Sequence, residues 1–172
     1  MPAEVLLIED NAMTRDALCA MLESAGYAVH AVAHGAEGLH YCAHHAVEVL
    51  IVDLGLPDMD GLEVIESLKA PECGAALPVV VLTGNDDPEK RVAAFDRGAD
   101  DFLRKPPDPD ILRARLRSLT RLKSYQDRLK RHERELETKV EQRTAELKNT
   151  MDTLRATNAL LTEASLDTVS RL

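Results

Sequence analysis

The chain has 172 residues, of which 45% are hydrophobic and 30% are charged, enough to bury one core with a segment left over. A net charge of −9 without a basic cluster argues against nucleic-acid binding. No apolar run reaches the length of a membrane span and no secretory signal opens the chain, so we expect a cytoplasmic protein.

Short β-rich runs alternate with helical patterns in the first part of the chain. The predicted strands are residues 5–8, 28–32, 47–52 and 79–82, all apolar enough to be buried on both faces, and a weaker strand at 101–104. The predicted helices are residues 14–25, 36–44, 62–69 and 89–97, with another after Pro109. This alternation predicts an α/β fold with a five-stranded parallel sheet, doubly wound, whose ligand sites lie at the carboxyl ends of the strands.

The composition changes near residue 118. Residues 1–118 carry 10 Lys and Arg against 21 Asp and Glu, whereas residues 119–172 carry 11 against 9. All 8 glycines and all 8 prolines lie in the first part, and turns need these residues whereas long helices exclude them. We therefore predict a globular domain at 1–118 and one uninterrupted helix at 119–172.

The three cysteines, Cys19, Cys42 and Cys73, are odd in number and lack the CxxC spacing. This pattern argues against a disulfide framework and against a zinc site. We expect them to be small buried hydrophobic residues.

Polar side chains stand where the predicted strands end. Glu9 and Asp10 follow the first strand, Asp53 the third, Thr83 the fourth and Lys105 the fifth. Three carboxylates in one concave site repel each other unless a cation joins them, and hard oxygen ligands suit Mg²⁺. A lysine and a hydroxyl beside them would hold a phosphoryl group, with a carboxylate as the nucleophile.

Four motifs in order, LLIEDN at 6–11, VDLGLPDMDG at 52–61, VVVLTG at 79–84 and FLRKP at 102–106, resemble the receiver domain of two-component response regulators. The resemblance covers residues 4–118 and implies a flavodoxin-like (βα)5 fold. It assigns the acidic pair to Glu9 and Asp10, the phosphoacceptor to Asp53, a backbone carbonyl for Mg²⁺ to Gly55, the switch to Thr83 and Phe102, and the phosphate-pairing lysine to Lys105.

The resemblance implies phosphoryl transfer to Asp53, with Mg²⁺, from a sensor histidine kinase or a phosphotransfer protein. Thr83 and Phe102 then rearrange and change the face formed by the fourth helix, fifth strand and fifth helix. The receiver itself is not expected to be an enzyme. Lys105-Pro106 is a candidate cis peptide. By the resemblance, Gly55 and Asn85 border the path of the water that hydrolyses the acyl phosphate, but these two residues do not determine the phosphoryl lifetime.

Simpler interpretations exist for several of these residues. Strand-end acids often cap helices, Asp86 and Asp87 fit that role before the fourth helix, and Asp58 and Asp60 fit a turn. The histidines at 34, 40, 44 and 45 near Cys42 are more simply surface residues than a metal cluster. A haloacid-dehalogenase-like enzyme would also use an aspartate nucleophile with Mg²⁺ and lysine, but it requires a second aspartate two residues after the nucleophile, where this chain has Gly55.

The C-terminal segment has leucines at heptad spacing. They form two triplets, separated by a four-residue stutter that Val140 bridges: Leu122, Leu129, Leu136 and Leu147, Leu154, Leu161. With Met151 and Asn158 at a positions after the stutter, this pattern favours a parallel homodimeric coiled coil. The alternative is a single charged helix stabilised by i, i+4 ion pairs.

The last residues resemble sequences that precede output modules. EQRTAEL at 141–147 is similar to linkers before bacterial signalling domains, and ASLDTVSRL at 164–172 is similar to the opening of GGDEF cyclase domains, although Val169, Ser170 and Arg171 depart from that pattern. We expect an output module after residue 172, for cyclic-di-GMP turnover by GGDEF or, less closely, HD-GYP chemistry. The alternative is a stand-alone protein whose coil docks on a kinase or scaffold.

Overall fold

The computed structural model describes residues 2–70, 77–84 and 88–169, and the side chains up to residue 158. It divides into two compact units, Met1–Gln126 and Asp127–Leu172. The predicted domain boundary at residue 118 stays a prediction. The elements are β1 (Glu4–Ile8), α1 (Ala12–Ser24), β2 (Ala28–Val32), α2 (Gly35–His44), β3 (Val49–Asp53), α3 (Gly61–Lys69), β4 (Val79–Thr83), α4 (Pro88–Asp96), β5 (Asp101–Arg104) and α5 (Pro109–Val169).

The five strands form one parallel sheet in the order β2-β1-β3-β4-β5. The predicted doubly wound α/β fold is therefore confirmed. Strands β1, β3 and β4 are almost fully buried. The expectation that residues 28–32 are buried on both faces is wrong, because β2 lies at the sheet edge and only Val32 in it is buried.

The core has two layers, one on each face of the sheet. Alternate strand residues point to opposite faces, so Val5 and Leu7 join α1 and the start of α5 in one layer. Leu6 and Ile8 join α2, α3 and α4 in the other. Burial of apolar surface contributes about 25 cal/mol per Å² to folding. The two layers therefore stabilise the sheet and hold its strand ends in position.

Aspartates between β3 and α3 cap two helices. Asp60 Oδ1 accepts a hydrogen bond from Leu62 N at 2.9 Å and caps α3. Asp58 reaches α2, where its carboxylate accepts from Gly35 N at 3.0 Å and from Ala36 N at 2.9 Å. These bonds hold the pKa of Asp58 below its usual range, because they favour the charged form. The two residues thus cap helices, and the segment at 57–59 is bent. Asp86 and Asp87 lie outside the described residues.

Two of the three cysteines fall within the described residues. Cys19 and Cys42 are free thiols of intermediate burial, and each contacts one of the two core layers. Burial raises the pKa of Cys42 to about 11, so its thiol stays protonated near neutral pH. Cys73 lies outside the described residues.

The second unit consists of the later part of α5. Its apolar stripe is exposed: Leu129, Leu136, Val140, Leu147, Met151 and Leu154 are between 49% and 70% accessible. Asn158 is also exposed, and the side chain of Leu161 lies outside the described part. In the segments that the structure describes, no helix combines the length and apolar character required to cross a bilayer.

Candidate functional site

Three carboxylates meet at the carboxyl end of the sheet. Glu9 and Asp10 follow β1, and Asp53 is the last residue of the adjacent strand β3. Their side chains each offer one oxygen, and these oxygens lie within 4.8 Å of one another. The register that pairs Ile8 with Val52 places the ends of the two strands side by side. The structure thus brings together the three predicted acidic residues.

Lys105 joins two of these carboxylates. Its Nζ lies 2.8 Å from Asp53 Oδ2 and 2.5 Å from Glu9 Oε2. The lysine follows β5, and its backbone N–H donates to Thr83 O at 2.8 Å, which ties the ends of β4 and β5 together. The peptide bond between Lys105 and Pro106 is cis. The predicted lysine therefore lies against the predicted phosphoacceptor.

Burial dominates the electrostatics of Glu9. The residue is 1% exposed, and loss of hydration raises the pKa of its carboxyl above the ordinary value, with Lys105 opposing the rise and the charge of Asp53 adding to it. Glu9 Oε2 receives no hydrogen bond of good geometry from the described residues, although Lys105 lies within ion-pair distance. Glu9 is thus a buried acid whose charge is only partly compensated.

The donor set fits a hard divalent cation. Three carboxylate oxygens converge, one on a residue that carries an incompletely satisfied buried oxygen, and Mg²⁺ prefers such oxygen ligands. Gly55 is exposed near Asp53, since a Cβ built on it would lie 3.8 Å from Asp53 Oδ2. Its backbone forms an isolated bridge with Asp60. Glu9, Asp10 and Asp53 are therefore grouped at one site with Gly55 close by, and the predicted role of the Gly55 carbonyl stays a prediction.

Arg15 fixes the loop that carries the acidic pair, a role that was not predicted from the sequence. Its Nη1 donates to Glu9 O at 2.9 Å and to Asp10 O at 3.2 Å. Asn11 caps α1 by accepting from Thr14 N at 3.0 Å, which places Arg15 in the first turns of the helix. The sequence signal for this role was an arginine four residues after the helix N-cap Asn11, which itself follows the acidic pair.

Gly61 is a second residue that sequence reasoning missed. A Cβ at this position would overlap the backbone oxygen of Asp53 and lie 2.8 Å from Leu54 Cα. Its N–H donates to Leu54 O at 3.0 Å. The start of α3 therefore approaches the end of β3 so closely that the position has no room for a side chain. The available signal was the glycine directly after Asp60, a helix N-cap.

The two predicted switch residues lie on adjacent strands and differ in burial. Thr83 ends β4 and is 6% exposed. Phe102 on β5 is half-buried and contacts the core layer that contains α4. The guanidinium carbon of Arg91 lies 5.0 Å from the centroid of the Phe102 ring, a cation–π geometry. Their switch roles stay predictions, and Asn85 lies outside the described residues.

The family model for the response regulator receiver domain matches residues 5–117. Response regulator MprA from Mycobacterium sp. (strain KMS) is 38% identical over 121 residues, which cover 70% of this chain and 52% of that protein. Its counterpart in Mycobacterium tuberculosis (strain ATCC 25177 / H37Ra) is 37% identical over 127 residues, covering 74% and 54%. The chain spans about half the length of the curated relatives it matches.

Two solved structures are also similar to this chain, over about the same share of its length. A putative response regulator from Chloroflexus aurantiacus J-10-fl is 30% identical with a TM-score of 0.67, covering 70% of this chain and 98% of that one. The receiver domain of sensor histidine kinase PA1611 from Pseudomonas aeruginosa PAO1 is also 30% identical, with a TM-score of 0.65 and the same coverage. That structure has a magnesium ion coordinated in its active site cleft.

Proposed function

The chain belongs to the response regulator receiver family, and from this premise we propose that Asp53 is its phosphoacceptor. The observation that carries the proposal is the contact of Lys105 Nζ with Asp53 Oδ2 at 2.8 Å, beside Glu9 and Asp10. The Asp53 carboxylate contacts the Lys105 ammonium and lies beside two further carboxylates. In this position it can accept a phosphoryl group and form an acyl phosphate. The donor is a sensor histidine kinase or a phosphotransfer protein.

In the proposed reaction, a carboxylate oxygen of Asp53 bonds to phosphorus as the phosphorus–nitrogen bond of the donor phosphohistidine breaks. The imidazole leaves with that electron pair. Lys105 neutralises charge on the phosphoryl oxygens, and the Thr83 hydroxyl donates a hydrogen bond to one of them. Attack by water on the acyl phosphate later returns the carboxylate and inorganic phosphate.

Glu9, Asp10, Asp53 and the Gly55 carbonyl are the proposed magnesium ligands, an assignment supported by the three converging oxygens. Mg²⁺ would supply positive charge that offsets the carboxylates and the phosphoryl oxygens. Arg15 keeps the Glu9–Asp10 loop in place through its two bonds to backbone oxygens. The chain's own residues thus position both the cation and the phosphoryl group.

We further propose that α5 relays the state of Asp53 through a parallel homodimeric coiled coil. The exposed stripe of α5 supports this, because a second copy would remove it from water. The proposed destination is an output module beyond residue 172, for cyclic-di-GMP turnover, on the resemblance of residues 164–172 to GGDEF openings. The alternative is a stand-alone interaction protein whose coil docks on a kinase or scaffold. The receiver itself is not proposed to be an enzyme.

Intact-mass spectrometry after treatment with acetyl phosphate and Mg²⁺ tests the central proposal. The wild-type chain should gain one phosphoryl group, and Asp53→Asn should gain none. Asp58→Asn is the matched control, because Asp58 is an exposed aspartate on the same loop that caps α2, and it should still be labelled. An undiminished adduct in Asp53→Asn would remove the basis of the proposal.

A further inference from the structure

Two imidazole rings lie together on the exposed face of α2. His40 and His44 are both solvent-exposed and are separated by one helical turn. Their ring centroids are 4.4 Å apart and their planes are tilted by 40°. Residues at i and i+4 share a helix face, so the helix itself sets this spacing.

The hydrogen bond of His44 selects one tautomer of its neutral ring. Its Nδ1 lies 2.8 Å from the backbone oxygen of His40. A carbonyl oxygen only accepts, so Nδ1 carries the proton, and in the neutral ring Nε2 keeps the lone pair. Metal-binding histidines commonly donate their other ring nitrogen to a backbone carbonyl in this way, which fixes the tautomer and orients the ring.

The neighbouring histidine of the same helix end is engaged elsewhere. The His45 ring stacks on Tyr41 at 4.0 Å with an interplanar angle of 7°. Tyr41 stacks in turn on His30 of β2 at 3.8 Å and 6°, and its hydroxyl donates to Glu4 Oε1. These parallel stacks hold His30 and His45 against Tyr41, whereas His40 and His44 contact each other.

We propose that His40 and His44 form a chelating site for a divalent transition-metal ion, with water completing the coordination shell. Imidazole nitrogen is a borderline donor that suits Cu²⁺, Ni²⁺ and Zn²⁺, with Cu²⁺ bound most tightly, whereas Mg²⁺ prefers carboxylate oxygen. The His pair on α2 and the acidic cleft at the strand ends therefore select different cations. Because the ion bridges adjacent turns, it also stabilises the end of α2.

The test is a titration with Cu²⁺ in saturating Mg²⁺, followed by calorimetry and by electron paramagnetic resonance. The wild-type chain should bind one Cu²⁺ at this site, with splitting from two nitrogen nuclei. Single His40→Gln and His44→Gln variants should each lose about 10- to 100-fold in affinity, because the second imidazole binds intramolecularly. Zn²⁺ and Ni²⁺ should bind the same pair more weakly.

His45→Gln and His132→Gln are the matched controls, since both remove a histidine that lies outside the pair. Both should bind Cu²⁺ as the wild type does, with the same two-nitrogen spectrum. Equal affinity in His40→Gln and wild type, or loss of the spectrum in His45→Gln alone, would overturn the proposal. Circular dichroism of each variant confirms that the exposed substitutions leave the fold intact.

Discussion

The guanidinium of Arg15 donates a hydrogen bond of 2.9 Å to the backbone oxygen of Glu9. The arginine thereby holds the peptide that connects the two acids, since it also reaches Asp10 O at 3.2 Å. Arg15 is thus a positioning residue for the cleft, and it is not itself a proposed magnesium ligand.

We therefore expect Arg15→Ala to weaken Mg²⁺ binding by about tenfold, the loss typical of a residue that orients metal ligands. Arg15→Lys should recover part of the affinity, because lysine retains the charge and the hydrogen-bond donors but its nitrogen lies one bond closer to the backbone than Nη1. Calorimetric titration of the unphosphorylated protein with Mg²⁺ measures both. An affinity equal to that of the wild type in Arg15→Ala would contradict the positioning role.

Glu9 predicts a pH dependence of stability in the metal-free protein. Burial raises the pKa of its carboxyl above the ordinary value of 4.5, so the folded state holds the proton more tightly than the unfolded chain. The stability contributed by this proton is complete below that ordinary value and is lost as pH rises through the raised pKa. At neutral pH, the ionised carboxylate therefore costs stability.

Glu9→Gln should accordingly be more stable than the wild type at neutral pH without divalent ions, and the difference should shrink as pH is lowered. The same variant should bind Mg²⁺ more weakly, since it lacks one carboxylate. Urea unfolding across a pH series in a chelating buffer measures the difference in free energy of unfolding. A wild type that is equally stable or more stable at neutral pH would contradict the assignment of a buried charge that Lys105 compensates only in part.

Gly61→Ala should destabilise the first unit by about 1–3 kcal/mol, the usual cost of forcing extra atoms into a filled site. The added methyl group would overlap Asp53 O, and backbone atoms cannot give way as a flexible side chain can. Gly84→Ala is the control, because nothing lies within 4 Å of a Cβ built there. Equal unfolding midpoints in urea for the two variants would show that α3 does not closely approach β3.

Leu136→Asn should weaken self-association of the chain. If the proposed dimer forms, each copy loses an apolar contact worth about 1.5–3 kcal/mol when fully buried, so the dissociation constant should rise by at least about tenfold. Arg131→Asn is the control, since it lies on α5 outside the leucine stripe. Sedimentation velocity over a concentration series distinguishes them, and a monomeric wild type would contradict the proposed coil.

The order of elements and the acidic cluster were predictable because both follow from short-range patterns. Apolar runs that end in Glu9, Asp10 or Asp53 place charge at one end of a parallel sheet, whatever the order of the strands. The burial of β2 was predicted wrongly because strand order decides which strand lies at the edge, and an apolar run does not reveal it. The strand at residues 28–32 was predicted correctly, but its place at the edge of the sheet was not.

The sequence around Arg15 and Gly61 indicates the start of a helix, but it does not show what these residues contact, because their partners are backbone atoms whose positions depend on the fold. Arg15 acts on carbonyl oxygens, which carry no sequence signature. Gly61 matters through the space it leaves beside Asp53, which depends on how α3 approaches β3. The capping of α2 by Asp58 crosses 22 residues, so a turn was the more local explanation for that aspartate.

The Asp58 cap gives the molecule a built-in reporter. Its carboxylate holds the amides of Gly35 and Ala36 from the same loop that follows Asp53. Hydrogen–deuterium exchange at these two amides therefore registers any displacement of that loop, without a label or a substitution near the reacting carboxylate. If the loop moves on phosphorylation, these two amides should exchange faster after acetyl phosphate treatment, and the time course of that change should follow the movement of the loop.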